Sequence, residues 1–139
     1  MIKKILGGIL VVLILGLGAV YFVFNKPHPS VDRPDFMVSA TELINAFEGD
    51  EPSANDKYLG KVVEVHGTVT EVIEKQNSFV LLLGDTASVS RVSCTLDSEQ
   101  DGMAYGLRAG DALTLRGICS GRLLDVVLVD CRIVSNGQP

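Results

Sequence analysis

The architecture predicted by this sequence is mainly β: a five-stranded barrel with Greek-key connections, a helix flanking its start, a helix between its third and fourth strands, and one transmembrane helix ahead of it all. Three observations predict it. Residues 5–24 (ILGGILVVLILGLGAVYFVF) run without a formal charge, and a helix of that length spans about 30 Å, the thickness of a bilayer core. Beyond residue 60 the apolar period changes to two, the signature of half-buried strands. The longest connection falls between the third and fourth of these strands.

The apolar run is an anchor rather than part of a bundle, because the chain after it is polar and acidic. Met1, Lys3 and Lys4 precede it, while only Lys26 and Arg33 follow nearby; cytoplasmic flanks prefer the greater positive charge, so the C-terminal domain is expected outside the cytoplasmic membrane. A cleaved signal peptide is the competing reading, with small residues at Gly16, Gly18 and Ala19 to permit cleavage, although its apolar core is normally about 7 to 15 residues. No cysteine precedes Cys94, which argues against a lipid-modified cysteine. The expected divisions are an anchor at 1–25, a stalk at 26–38 in which Pro27, Pro29 and Pro34 favour extended backbone, a barrel at 39–135 and a tail at 136–139.

Ser39 followed by Glu42 marks a helix start, with Val38 placed to pack on Leu43. Leu43, Ile44 and Phe47 form one apolar stripe, and the segment from Gly49 to Pro52 closes the helix near Glu48. From Lys61, the residues Val63, Val65, Gly67 and Val69 alternate with Glu64, His66, Thr68 and Thr70. Gly67 and a shift of phase at Glu71 and Val72 predict a bend or bulge in a strand that serves both sides of a closed barrel. Phe79 to Leu83 is the second strand and Ala87 to Leu96 the third, with Val92, Cys94 and Leu96 on one face. A connection from Asp97 to Gly110 holds one short helix. Ala112 to Cys119 and Leu124 to Val134 complete the set, joined by a turn at Ser120 to Arg122. Leu113, Leu115, Gly117 and Cys119 are expected inward on one, and Val127, Val129, Cys131 and Ile133 on the other. A three-stranded meander, a helical crossover and a terminal hairpin is the order of an OB-fold.

The strings ATELINAF, ANDKYLGKVVEVHGTV, VSCTL, GLRAGDALTLRGICSG and VVLVDCRI, spread over about Ala40 to Ile133, resemble the bacterial tRNA_anti-like family. The resemblance implies an OB-fold and, commonly, membrane attachment. The family's name points to anticodon-binding domains and so to nucleic acid, but the resemblance brings no established site residue.

Charge points the other way. Residues 34–139 hold eight Lys and Arg against sixteen Asp and Glu, a net charge of −8, whereas nucleic-acid binders draw most of their affinity from cations on phosphates. An OB barrel offers the face of its second and third strands, rimmed by the loops after strands one and four; here those supply Lys75, Phe79, Arg91 and Arg122 as a candidate ligand face. The competing reading of these four is an ordinary solvated surface. Cys94 and Cys131, on strands that are parallel neighbours in an OB barrel, are a candidate disulfide, with three buried thiols as the alternative and Cys119 free in either case. No clustered His and Cys suggests a metal, no cofactor is implied, and no Ser or Cys sits in a nucleophile motif. The expectation is a non-enzymatic binding module for an envelope protein or oligosaccharide. Single-stranded nucleic acid is the second reading. Haem handling is the third, resting on layout alone, because the chain ends SNGQP without a His or Tyr attachment motif.

Overall fold

The structure, a computed structural model, describes residues 1–25 and 30–137. Lys26 to Pro29 of the expected stalk and the last two residues of the tail lie outside them. Helix α1 (Ile2–Phe24) contains the whole apolar run and buries none of its side chains. It is long and apolar enough to cross a membrane.

Where the sequence predicts an extended stalk as far as residue 38, Phe36–Ser39 forms a sixth strand, β1, which pairs in parallel with the first half of β2 (Val62–Lys75). Four residues with one buried side chain, Val38, carry too little alternation to announce a strand. Ser39 then caps α2 (Ala40–Gly49), its Oγ accepting from the backbone N–H of Glu42 at 3.0 Å. The apolar stripe of α2, extended by Ala40, joins the barrel core. A second helix, α3 (Glu51–Tyr58), follows at once, where the sequence shows Asp50 and Pro52 only as a stop. Asp50 is in fact its cap, accepting from the Ser53 N–H at 3.2 Å and the Ser53 hydroxyl at 2.9 Å, which holds its carboxyl below the usual range, and Pro52 suits a first turn where no N–H is needed. Tyr58 closes the helix against Phe36, edge to face at 5.1 Å, with the Lys57 ammonium over both rings.

Strand β2 does two jobs. Val62–Thr68 pair antiparallel with β5 (Ala112–Arg122), and Val69–Lys75 pair antiparallel with β3 (Ser78–Leu83). The ladder slips between Val69 and Glu71, close to the phase shift in the sequence. Gly67 has a separate reason to be glycine: a Cβ there would lie 2.9 Å from that of Ala40, so its bare backbone lets α2 seat on the strand. From β3 the sheet continues through β4 (Val92–Leu96) to β6 (Val126–Ser135), parallel to β4, and back to β5, which closes the barrel. A single turn of 3₁₀-helix (Ser98–Gln100) and α4 (Asp101–Ala104) make the crossover.

Three strand details depart from the sequence reading. The third barrel strand starts at Val92, not Ala87, because the loop before it is held by Asp85 and Asp125 side chains accepting from the backbone N–H groups of Ala87 and Arg91. The last hairpin turns at Leu123 to Asp125, three residues later than expected; Gly121, at φ +99°, distorts β5 without ending it. In β6 the inward residues are Val126, Leu128 and Cys131, not Val127 and Val129. Asp130 adopts φ 51° and inserts one residue, so the phase read backward from Cys131 fails before it.

All three cysteines are free and buried. The register sets Cys94 opposite Leu128 and Cys131 opposite Leu96, so Cys94 and Cys131 are diagonal neighbours. Diagonal Cα atoms lie about 7 Å or more apart, beyond the usual reach of a disulfide, and the two thiols are not bridged in this structure. Gly117 makes room for Cys131, whose Sγ would lie 2.5 Å from a Cβ at that position. Burial pushes the Cys131 thiol well above its ordinary 9.0, with the Cys94 contact adding to the shift, and burial also raises Cys119.

The chain arriving from α1 is clasped to the outside of the barrel by one arginine. Arg116 donates from Nε and Nη2 to Glu64 Oε2, at 3.0 and 2.6 Å, and from Nη1 to the carbonyl oxygens of Val31 and Asp32, at 3.3 and 2.6 Å. Glu64 is 8% exposed. Val62 and Asp35 complete the clasp with reciprocal backbone and carboxylate bonds at 2.8 and 2.9 Å.

Removing one partner of such a pair leaves the other charge desolvated. Arg116→Met should therefore lower unfolding stability by about 3 kcal/mol in urea titration, and Glu64→Met added to it should recover most of that. Limited proteolysis between Ser30 and Asp35 should speed up in the single variant; unchanged midpoint and cleavage would show the clasp to be dispensable. For the thiols, native protein at pH 8 should not react with a thiol reagent until denaturant is added. Since the folded thiols keep their protons while the unfolded chain ionises near 9.0, the unfolded state binds fewer protons above that pH and stability should fall as pH rises past it. Cys131→Ala should flatten that decline, measured by denaturant titration from pH 7 to 10.

Candidate functional site

Register and core membership together divide the side chains of the barrel into inner and outer sets. Phe79, Leu81 and Leu83 belong to the core cluster, while Val80 and Leu82, equally apolar, do not. Cross-strand partners share a face, so Val80 stands beside Ile73 and Thr95, and Leu82 beside Glu71 and Ser93. Ser93 in turn neighbours Val127 on β6, and Ile118 of β5 partners Val129. The outer surface of β3, β4 and β6 therefore carries an apolar band with two hydroxyls at its centre, in which Ile73, Val127 and Val129 are half-buried and Val80 and Leu82 only 6% and 8% exposed. Its three strands measure about 10 Å across, at about 4.8 Å per step.

The four residues expected from sequence to form a ligand face separate on this frame. Lys75 and Arg91 flank the band at opposite ends, Lys75 exposed at the tip of the β2–β3 hairpin. Phe79 is a core residue, 5% exposed, packed edge to face on Tyr105 at 4.9 Å. It shares the parity of Leu81 and Leu83, but a run of five apolar residues gives no phase by itself. Arg122 lies off the band at the base of the barrel, between Ser90 Oγ at 3.5 Å and the carboxylates of Glu48 and Glu51 at 4.0 and 3.9 Å, its Nε buried without a partner. Val127 and Val129, the half-buried apolar residues of the face, and Val80 and Leu82 beneath them are assigned to no site by sequence reasoning; the signal lies in the apolar residues of both parities on β3 and β6.

Electrostatically the face is quiet. Arg91 pairs with Glu71 at 3.2 Å, and the other strand arginines, Arg116, Arg122 and Arg132, each lie within 4.0 Å of a carboxylate. Four of the domain's eight cations are thereby matched internally. Among the described residues no aromatic ring stands on the band.

A separate cavity of about 450 Å³ opens beside the N-terminus of α2, lined by Ser39, Thr41, His66, Thr68, Thr70 and Asp85 among others. Thr70 Oγ1 is committed to the Leu82 carbonyl at 3.1 Å. The thiols of Cys119 and Cys131 are raised by burial, the reverse of what activates a nucleophile. Among the described residues no group of three His, Cys, Asp or Glu side chains could hold a metal ion. What the geometry offers is a surface for association.

Among solved structures, a candidate nucleic acid-binding lipoprotein from Klebsiella pneumoniae superposes with a TM-score of 0.61 at 18% identity, over 70% of this chain and 91% of that one. A protein assigned as an aspartyl-tRNA synthetase from Leishmania major reaches 0.50 at 12% identity, over 88% of this chain but 26% of the other. The asparaginyl-tRNA synthetase of Pyrococcus horikoshii matches at 0.43 and 16% identity, over 58% of this chain and 20% of its own. The first two similarities show the fold. No curated protein matches the chain. The tRNA_anti-like family model matches residues 1–133, the apolar helix as well as the barrel; the chain belongs to the tRNA_anti-like family, and its fold is that family's OB-type binding fold.

Proposed function

We propose that this chain is a membrane-tethered, non-enzymatic binding module, anchored by α1 with the barrel outside the cytoplasmic membrane, and that it binds a protein through the outer face of β3, β4 and β6. The observation that carries the reading is the composition of that face: half-buried Ile73, Val127 and Val129 around Ser93 and Thr95, over the nearly buried Val80 and Leu82, with Arg91 neutralised by Glu71. Protein interfaces are built on apolar centres with a polar rim. An oligosaccharide is served less well, since the hydroxyls on this face are few and it carries no ring to stack on a sugar.

Single-stranded nucleic acid is the second reading, favoured by the name of the Klebsiella relative. It needs aromatic platforms over a basic groove. The face has neither, and the net charge of −8 beyond residue 33 opposes phosphate.

A photo-crosslinking residue in place of Thr95, in full-length protein in intact cells, should give a protease-sensitive adduct of defined mass. Val129→Lys in the same chain should reduce that adduct by roughly tenfold, since a charge at the centre of an apolar contact goes unpaired. Oligonucleotides at low salt should show no saturable mobility shift. A nuclease-sensitive adduct, or saturable and salt-sensitive binding, would reverse the ranking.

A further inference from the structure

The base of the barrel carries exposed apolar side chains on adjoining loops. Val89, before β4, is 86% exposed; Leu123 and Leu124, at the tip of the β5–β6 hairpin, are 89% and 69% exposed. The two loops are tied together: Asp125 Oδ1 accepts from the Arg91 N–H at 2.9 Å, the Val126 N–H donates to the Arg91 carbonyl at 3.0 Å, and Arg122 reaches Ser90. Leu59, half exposed, touches Gly121 beside them. Single exposed apolar residues are ordinary, but several converging on one rim mark an interaction site.

We infer that this rim dips into the headgroup region of the bilayer that α1 spans, an inference resting on the anchor reading above but not on the identity of the protein ligand. The length of the link is the first support. From Asn25, at the end of α1, to Val31, held by the Arg116 clasp, there are six peptide steps, which reach at most about 22 Å. From Arg116 along β5 to Leu123 is about 24 Å. The barrel is thus confined beside the membrane, and because the two lengths are nearly equal its apolar rim meets the bilayer once β5 tilts from the membrane normal.

Charge is the second support. The carboxylates around the rim are already engaged, Glu48 and Glu51 by Arg122, Asp125 by the Arg91 N–H and Asp85 by the Ala87 N–H. One arginine against these four carboxylates leaves the rim without the basic charge that would tie it to anionic lipid. Because the rim is apolar rather than basic, its insertion does not depend on anionic lipid.

Full-length protein reconstituted in phosphatidylcholine vesicles provides the test. The native cysteines are buried, so an environment-sensitive fluorophore can be placed selectively on Leu124→Cys, with Lys75→Cys as the comparison. At position 124 the emission should shift to the blue and rise roughly threefold, as for a probe entering the interface, and shallow lipid-borne quenchers should extinguish it; position 75 should do neither. Replacing a third of the lipid with phosphatidylglycerol should leave the result unchanged. Vesicle-bound protein whose position 124 behaves like position 75 overturns the proposal while leaving the anchor intact. A shift seen in native envelope membranes but not in pure lipid overturns it in favour of a protein partner. Protein that fails to float with vesicles removes the anchor, and the proposal with it.

Discussion

Everything in this barrel depends on one strand being shared between two ladders. β2 gives its first half to β1 and β5 and its second half to β3, which a flat strand cannot do without leaving backbone groups unpaired on one side. The slip between Val69 and Glu71 lets it turn. It also sets the phase of the strand's second half: Val69 faces the core, then Glu71, Ile73 and Lys75 form one row on the outer face. Had the ladder continued in register, the apolar and polar rows would have exchanged sides. The position of the proposed docking face is therefore a consequence of how the barrel closes.

The arginines add an electrostatic constraint to this geometric one. A domain with twice as many acids as bases could still bind phosphate if its cations were gathered and free. They are spread instead around the barrel, and Arg91, Arg116, Arg122 and Arg132 each lie against a carboxylate. Arg116 is the extreme case: it sits beside a nearly buried Glu64 and turns its remaining N–H groups on two backbone carbonyls. Its role is mechanical, since it binds the barrel to the segment that leads to α1. Surface pairs such as Arg91 with Glu71 add little to stability, yet they remove positive potential from the one face where a nucleic acid would lie. The family's name and the chemistry of this member thus point to different ligands.

How legible this was depended on whether local signals had a phase. The strand from Lys61 was readable because Val63, Val65 and Val69 alternate with polar residues, and Ser39 with Glu42 marked α2 correctly. The apolar helix needed only length and composition. FVLLL is apolar at every position, which leaves inside and outside undetermined without the partner strand, so Phe79 reads as a face residue although it lies in the core. Val127 and Val129 were sent inward for the same reason, and the correcting feature, a positive φ at Asp130, is a property of the folded ladder. β1 and α3 were missed because both are short and take their stability from tertiary contacts: Phe36 on Tyr58, and Val38 in the core. The clasp was invisible because Glu64 and Arg116 are 52 residues apart and each reads as an ordinary solvent-facing residue of its strand.

These parts have a common geometric outcome. With α1 as the anchor proposed above, a link of at most about 22 Å cannot present a barrel of comparable length in arbitrary orientations far from the bilayer, and the barrel's attitude would be part of its function. With the loops of Val89, Leu123 and Leu124 at the lipid, the strands stand away from the membrane and the band of Val80, Leu82, Val127 and Val129 faces sideways. A partner would then be met in the plane of the membrane, where diffusion is confined and a weak contact is multiplied by effective concentration. That suits a face of modest area, about 10 Å across three strands, better than it suits capture of a soluble ligand from bulk solution. Because the clasp rather than the loops fixes the length of the link, weakening Arg116 would lengthen the tether and loosen that orientation without altering either the lipid-facing rim or the docking face.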